Sequence, residues 1–189
     1  MLKKQDIMEI IKIGLILFAI TAIAALALAA VNAKTRPIID ANNLEKQQAA
    51  MRVVLPDAEN FESENLKTDK MPETVTAVYQ STNHVGYAVL VAPNGYNGAV
   101  SLAVGVSADG AVTGVDVISQ SETPGLGANC TKESFRSQFI GKTTDIKVVK
   151  NGAVGNQIDA ISSATVTSKA VTKGVNDAIT AALLAKEAN

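Results

Sequence analysis

The stretch richest in chemical possibility is Asp159-Ala160-Ile161-Ser162-Ser163-Ala164-Thr165-Val166-Thr167-Ser168. It directly precedes a segment with apolar residues at helical spacing: Val171, Val175, Ala178, Ile179, Ala182 and Leu183. The first turn of a helix carries backbone N–H groups with no intrahelical acceptor, and the helix dipole adds positive potential there. Hydroxyls at Ser162, Ser163, Thr165 and Thr167 add donors, so a phosphate would be well received. The same residues also make an ordinary helix cap that holds nothing. This segment alone leaves both readings open.

A second segment, Glu122-Thr123-Pro124-Gly125-Leu126-Gly127, suits a flat ligand. Its glycines permit close backbone approach, Pro124 stiffens the turn, and Leu126 offers an apolar surface. As a generic feature it is a tight turn between a strand and the next helix. Other chemistries find less support. His84 is the sole histidine and Cys130 the sole cysteine, so no intrachain disulfide and no Cys/His metal cluster is expected. No nucleophile motif accompanies His84, which disfavours hydrolase chemistry. A net charge of −1 with no basic stripe disfavours nucleic acid as a partner.

The elements that must position these segments read as α+β. Tryptophan is absent and aromatics are 4% of the chain, so the core must come from Val, Ile, Leu and Ala. Strand-like runs fall at Val75–Gln80, Val85–Ala92, Val100–Val106, Val112–Ser119 and Ile146–Val149. Pro93 to Gly98 separates the second and third, and Ala108-Asp109-Gly110 predicts an antiparallel hairpin between the third and fourth. Helices are expected at Asn43–Val54 (ended by Pro56), at Glu133–Ile140 (closed by Gly141) and at Thr167–Lys186. Asp57–Pro72 reads as a polar, acidic surface loop.

Near the amino end, the 19 residues from Ile13 to Val31 carry no charge. At about 1.5 Å per residue such a helix approaches the ~30 Å thickness of membrane hydrocarbon. A cleaved signal peptide is the competing reading, with small residues at Val31 and Ala33. The apolar run is longer than a signal core, and Asp6, Glu9 and Lys12 stand just before it, which favours an uncleaved anchor. Lys3, Lys4 and Lys12 precede the segment while Lys34 and Arg36 follow it, a slight bias toward a cytoplasmic amino terminus.

Taken together, these features resemble the FMN-binding domain family, which includes flavoprotein subunits of the Rnf ferredoxin:NAD oxidoreductase and of the sodium-pumping NADH:quinone oxidoreductase. The resemblance spans the anchor, Gly95-Tyr96-Asn97-Gly98, the strand Val112–Ser119, Glu122–Gly127, Phe139-Ile140-Gly141-Lys142 and Asp159–Thr167. It implies one transmembrane helix followed by an FMN-binding domain with an antiparallel sheet and flanking helices. The implied division is 1–34 for tail and anchor, 35–74 for a linker helix and loop, and 75–189 for the FMN-binding domain. In this family FMN is joined through its phosphate to the threonine of an Asp-x-x-Ser/Thr-Gly-Ala-Thr pattern by a dedicated flavin transferase. The pattern falls on Asp159, Ser162, Ser163, Ala164 and Thr165, making Thr165 the implied attachment residue.

The family's glycine is Ser163 here, so a positive φ at that position would strain the backbone. Thr123 and Leu126 are the implied ring contacts, with Glu122, Gly125, Gly127, Tyr96, Ser162, Ser163, Ala164 and Thr167 around the cofactor. Lys169 lies one turn into the helix and is either a phosphate partner or merely solvated. The implied role is electron relay with the other membrane subunits of an ion-translocating Rnf complex, the soluble domain lying outside the cell membrane among membrane lipid. The short chain looks more like the Rnf protein than its longer quinone-reductase counterpart. Rivals are that quinone-reductase counterpart, an anchored extracellular binding module without a redox role, and a free-standing flavin reductase. Against the last stand the anchor and the absence of a nicotinamide-phosphate loop.

Overall fold

A computed structural model describes residues 4–64 and 70–188. Two compact units divide between Glu45 and Lys46. The first consists of helix α1 (Lys4–Val54) up to Glu45. From Ile11 to Val31 its large apolar side chains face outward, Phe18 at 70% and Leu26 at 71% exposure. It is long and apolar enough to cross a membrane. Thr21 and Thr35 donate their hydroxyls to the carbonyls of Leu17 and Val31, so these polar groups are paired within the helix itself. Pro37 lies inside α1 without ending it. The helix expected to begin at Asn43 is instead the last part of α1, since one missing ladder bond does not stop a helix whose flanks favour it.

The second unit is built on a five-stranded antiparallel meander in the order β1-β2-β3-β4-β5. Its strands are β1 (Phe61–Glu64), β2 (Val75–Ser81), β3 (Gly86–Val91), β4 (Ser101–Ser107) and β5 (Val112–Ser119). The hairpin expected at Ala108-Asp109-Gly110 joins β4 to β5, with Gly110 at φ 83°. Register pairs Tyr87 with Val106, Val89 with Val104 and Val91 with Leu102, which gathers one face of branched side chains. On that face lies α3 (Thr165–Ala188), burying Val171, Val175, Ala178, Ile179 and Ala182. A Cβ at Gly174 would come within 2.8 Å of the Pro93 ring, so glycine lets α3 sit close to the sheet.

The opposite face, carrying Ala88, Leu90 and Ala103, receives Ala50, Met51 and Val54 from the end of α1. Gly105 makes that approach possible, because a Cβ there would lie 2.1 Å from the Val54 carbonyl. Thr113 donates its hydroxyl to the same carbonyl at 2.6 Å, capping the helix end. β3 is therefore buried on both faces, which is why it reads as a continuous apolar run.

Two strands fell outside the expected elements. β1 lies in the segment read as a loop, because a short edge strand with the sequence FESE has no apolar alternation. β7 (Gln157–Asp159) pairs in parallel with β6 (Lys147–Val149) and is too short to show a period. The helix expected over Glu133–Ile140 is α2 (Glu133–Arg136) continued by a 3₁₀ turn, Ser137–Phe139. Phe135 and Phe139 pack edge to face at 5.6 Å, and Gly141 closes the turn at φ 76°.

Candidate flavin site

The hairpin between β3 and β4 turns at Asn94–Ala99 and presents Tyr96 at its tip, 71% exposed. Across from it, the segment after β5 folds into a tight turn. The Thr123 carbonyl accepts the amides of Leu126 and Ala128, with Pro124 and then Gly125 (φ 79°) at the centre. Proline followed by a positive-φ glycine is the arrangement of a type II turn. The third wall is the entry to α3. Ser168 fastens it, accepting the Ile161 amide and donating to the Ala164 carbonyl, each at 2.9 Å.

Glu122 ties the three walls together. Its Oε1 accepts the amides of Tyr96 at 2.8 Å and Asn97 at 3.0 Å, and its Oε2 accepts the hydroxyl of Thr167. The carboxylate is only 5% exposed. Two glycines make room for it: a Cβ on Gly95 would lie 2.5 Å from Oε1, and one on Gly127 would lie 2.4 Å from Oε2. Burial pushes the Glu122 carboxyl up, but the Thr167 hydroxyl and the Asn97 and Tyr96 amides outweigh it and hold the group below its ordinary range. Behind it, Cys130 is fully buried; burial first, and the Glu122 charge second, push its thiol up and keep it protonated.

Between the walls opens a cavity of about 580 Å³. Nine residues anticipated for the site line it: Tyr96, Glu122, Thr123, Leu126, Gly127, Ser163, Ala164, Thr165 and Thr167. Two anticipated residues stand off its lining. Ser162 is exposed in the preceding turn, and Gly125 shapes its turn through backbone conformation. Lys169 is exposed and also off the lining. Val166, half exposed on the cavity wall, escaped the sequence reading because a branched residue among hydroxyls carries no chemical signal. Gly95 and Asn97 escaped it too, since their role appears only when Glu122 folds against them. His84 sits exposed in the β2–β3 turn and off the cavity lining, and Asp159 receives the Ala153 amide at 2.9 Å.

The cavity fits a flavin nucleotide. Its volume lies within the usual range for small-molecule sites of about 300–1,000 Å³. Exposed Tyr96, Leu126 and Val166 give apolar surface for a ring, and the first amides of α3 give a phosphate its donors. Ser163 adopts φ 60°, so the position where the family pattern has glycine does take the left-handed conformation.

Fold and site thus define an FMN-binding domain, and residues 95–180 match the family model of that description. Over 187 residues the chain is 40% identical to the G subunit of the Na⁺-translocating ferredoxin:NAD⁺ oxidoreductase complex of Acetobacterium woodii, covering 90% of each chain. It is 40% identical over 158 residues to the proton-translocating counterpart from Clostridium ljungdahlii, covering 83% of each. Among solved structures, the C subunit of the Na⁺-translocating NADH-quinone reductase of Parabacteroides distasonis shares the fold, with a TM-score of 0.59 at 21% identity. That match covers 81% of this chain and 96% of the other. The chain belongs to the family of G subunits of ion-translocating oxidoreductase complexes. In a chain of this family, the apolar part of helix α1 fits a membrane anchor.

Proposed function

We propose that this chain is the electron-relay flavoprotein of a membrane-bound, ion-translocating ferredoxin:NAD oxidoreductase, with FMN esterified through its phosphate to Thr165. The observation that carries the assignment is a contrast within one turn of α3. Thr165 is exposed on the cavity wall, whereas Thr167 is 1% exposed and its hydroxyl is committed to Glu122. One is open to a transferase and the other is closed.

FMN, when bound, accepts and releases electrons one or two at a time. The chain's own work is to hold and place it. Amides of the first turn of α3 balance phosphate charge, Tyr96, Leu126 and Val166 offer apolar surface, and the Pro124–Gly125 turn keeps Leu126 in place. No proton-transfer residue is required. A flavin transferase needs access to its target, and Ser162, Ser163 and Thr165 are all exposed. In this reading the other subunits of the complex are the electron partners; the relatives' names make those proteins subunits of oxidoreductase complexes.

The second unit faces the outer side of the membrane in this reading, supported by the family likeness and the slight excess of lysine before the anchor. A Thr82→Cys variant in a Cys130→Ala background tests it, since Thr82 is exposed while Cys130 is buried. An impermeant thiol reagent should label it in intact cells, and labelling that required a breached membrane would place the unit inside. The cofactor assignment is tested by the intact mass of the full-length protein. The expected gain is one FMN less one water, mapped to the Thr165 peptide. An unmodified mass with FMN released on denaturation would make the cofactor noncovalent.

A further inference from the structure

Glu122 is a buried carboxylate that the relay reading leaves without a task. Both of its oxygens are occupied by the chain's own donors, the amides of Tyr96 and Asn97 on one side and the Thr167 hydroxyl on the other. Its side chain nevertheless lines the cavity. Two of the partners are amides that can only donate and the third is a hydroxyl that donates, an arrangement suited to an ionised carboxylate. The ion pairs of Arg136 with Asp116, Lys147 with Asp145 and Lys173 with Asp177 do not involve Glu122. Lys169, the nearest lysine along α3, is exposed to water and off the cavity lining.

We infer that Glu122 is an electrostatic positioning residue whose fixed negative charge lowers the reduction potential of the flavin held in this cavity. The inference rests on the proposed flavin site and adds a role to it. An electron arriving on the ring adds negative charge near a carboxylate that is buried and fixed in place, where Coulomb interactions are stronger than in water. The oxidised form is favoured, so the flavin releases an electron readily. The downward hold on the Glu122 carboxyl agrees with a group that stays charged at neutral pH. A loop tie alone would not need charge, since a neutral amide can accept the same two N–H groups.

The test is a dithionite titration of the full-length, flavin-loaded protein in detergent, in which the ring gains one electron as dithionite is oxidised to sulfite. Glu122→Gln keeps the shape and the acceptor for Tyr96 and Asn97, and Thr167 can accept from the new amide. The expected result, read on the flavin that loads, is the one-electron equilibrium shifted about tenfold toward reduction, a rise of about 59 mV. A midpoint unchanged or lowered on that flavin would overturn the inference. If the glutamine variant fails to load, Val166→Lys and Val166→Glu put opposite charges on the same wall without touching the Glu122 contacts. A raised midpoint in the first and a lowered one in the second supports charge control, and equal midpoints overturn it. Absence of flavin from the unaltered protein would sink the flavin site itself, which separates the two failures.

Discussion

The floor and the rim of the cavity are built from similar residues yet behave in opposite ways. On the floor, Glu122, Gly127 and Thr167 are buried. Glu122 and Thr167 satisfy each other there, in space that two glycines leave clear. On the rim, Tyr96, Leu126, Ser163, Thr165 and Val166 are exposed, and Ser163 stands in a strained conformation. A satisfied network resists change and fixes geometry. An open hydroxyl beside apolar surface is available to react and bind. Floor substitutions should therefore be read in stability and rim substitutions in loading, and the threonine pair in the first turn of α3 divides the two.

The largest effect expected is at Thr165. Thr165→Val keeps the branched shape and removes the hydroxyl, so in-gel flavin fluorescence should vanish. The site is exposed, so stability should change by no more than about 0.5 kcal/mol. Covalent flavin surviving in this variant would move attachment to Ser162 or Ser163, because Thr167 is buried. Ion-coupled electron flow at full rate without flavin would end the relay reading. Next comes Gly127→Ala on the floor. Its methyl would collide with the Glu122 carboxylate and the Thr167 hydroxyl, at 2.4 and 2.6 Å. Overpacking of this kind costs about 1–3 kcal/mol, read as a lower denaturation midpoint.

A smaller effect belongs to acid pH. The folded-state carboxyl of Glu122 lies below its ordinary value of 4.5, so its contribution to stability is present above that pH. It is lost as pH falls through the lowered value. A thermal melting series carried into the acid range should show this loss in the unaltered chain. Thr167→Val removes one of the donors that depress the carboxyl, so its loss should begin at higher pH. Identical acid profiles for the two proteins would mean that the floor network does not hold the charge.

Much of the fold was legible in the sequence. Strands β2 to β5 showed in the runs of branched residues, and the β4–β5 hairpin in Asp109-Gly110, because strand composition and turn chemistry are local signals. The helix after Thr165 showed in its apolar spacing, and the proposed attachment at Thr165 rests on family likeness. What remained hidden depends on pairing across the chain. β1 is a strand only because β2 offers it an edge, with Phe61 opposite Ser81. Gly105 looks like a strand defect until the end of α1 arrives on it. Thr165 and Thr167 are equivalent in sequence, and only the return of Glu122 from 45 residues away makes one of them structural.

The smallest effect, and the one that most sharpens the contrast of rim with floor, is at Ser163. Its φ of 60° is the left-handed conformation that side chains with a Cβ avoid. Relieving it is worth about 1 kcal/mol by the cost of that conformation, while glycine gives back roughly 0.5 kcal/mol in unfolded-chain entropy. Ser163→Gly should thus stabilise the protein by only about 0.5 kcal/mol, within reach of a careful denaturant titration. The side chain is exposed on the cavity wall, so under the proposed attachment its removal also clears space for a transferase to reach Thr165. Flavin occupancy should therefore be equal or higher in the glycine variant. Lower occupancy, together with the small gain in stability, would mean that the hydroxyl itself holds the phosphate, and Ser163 would then be a ligand kept at the expense of backbone strain.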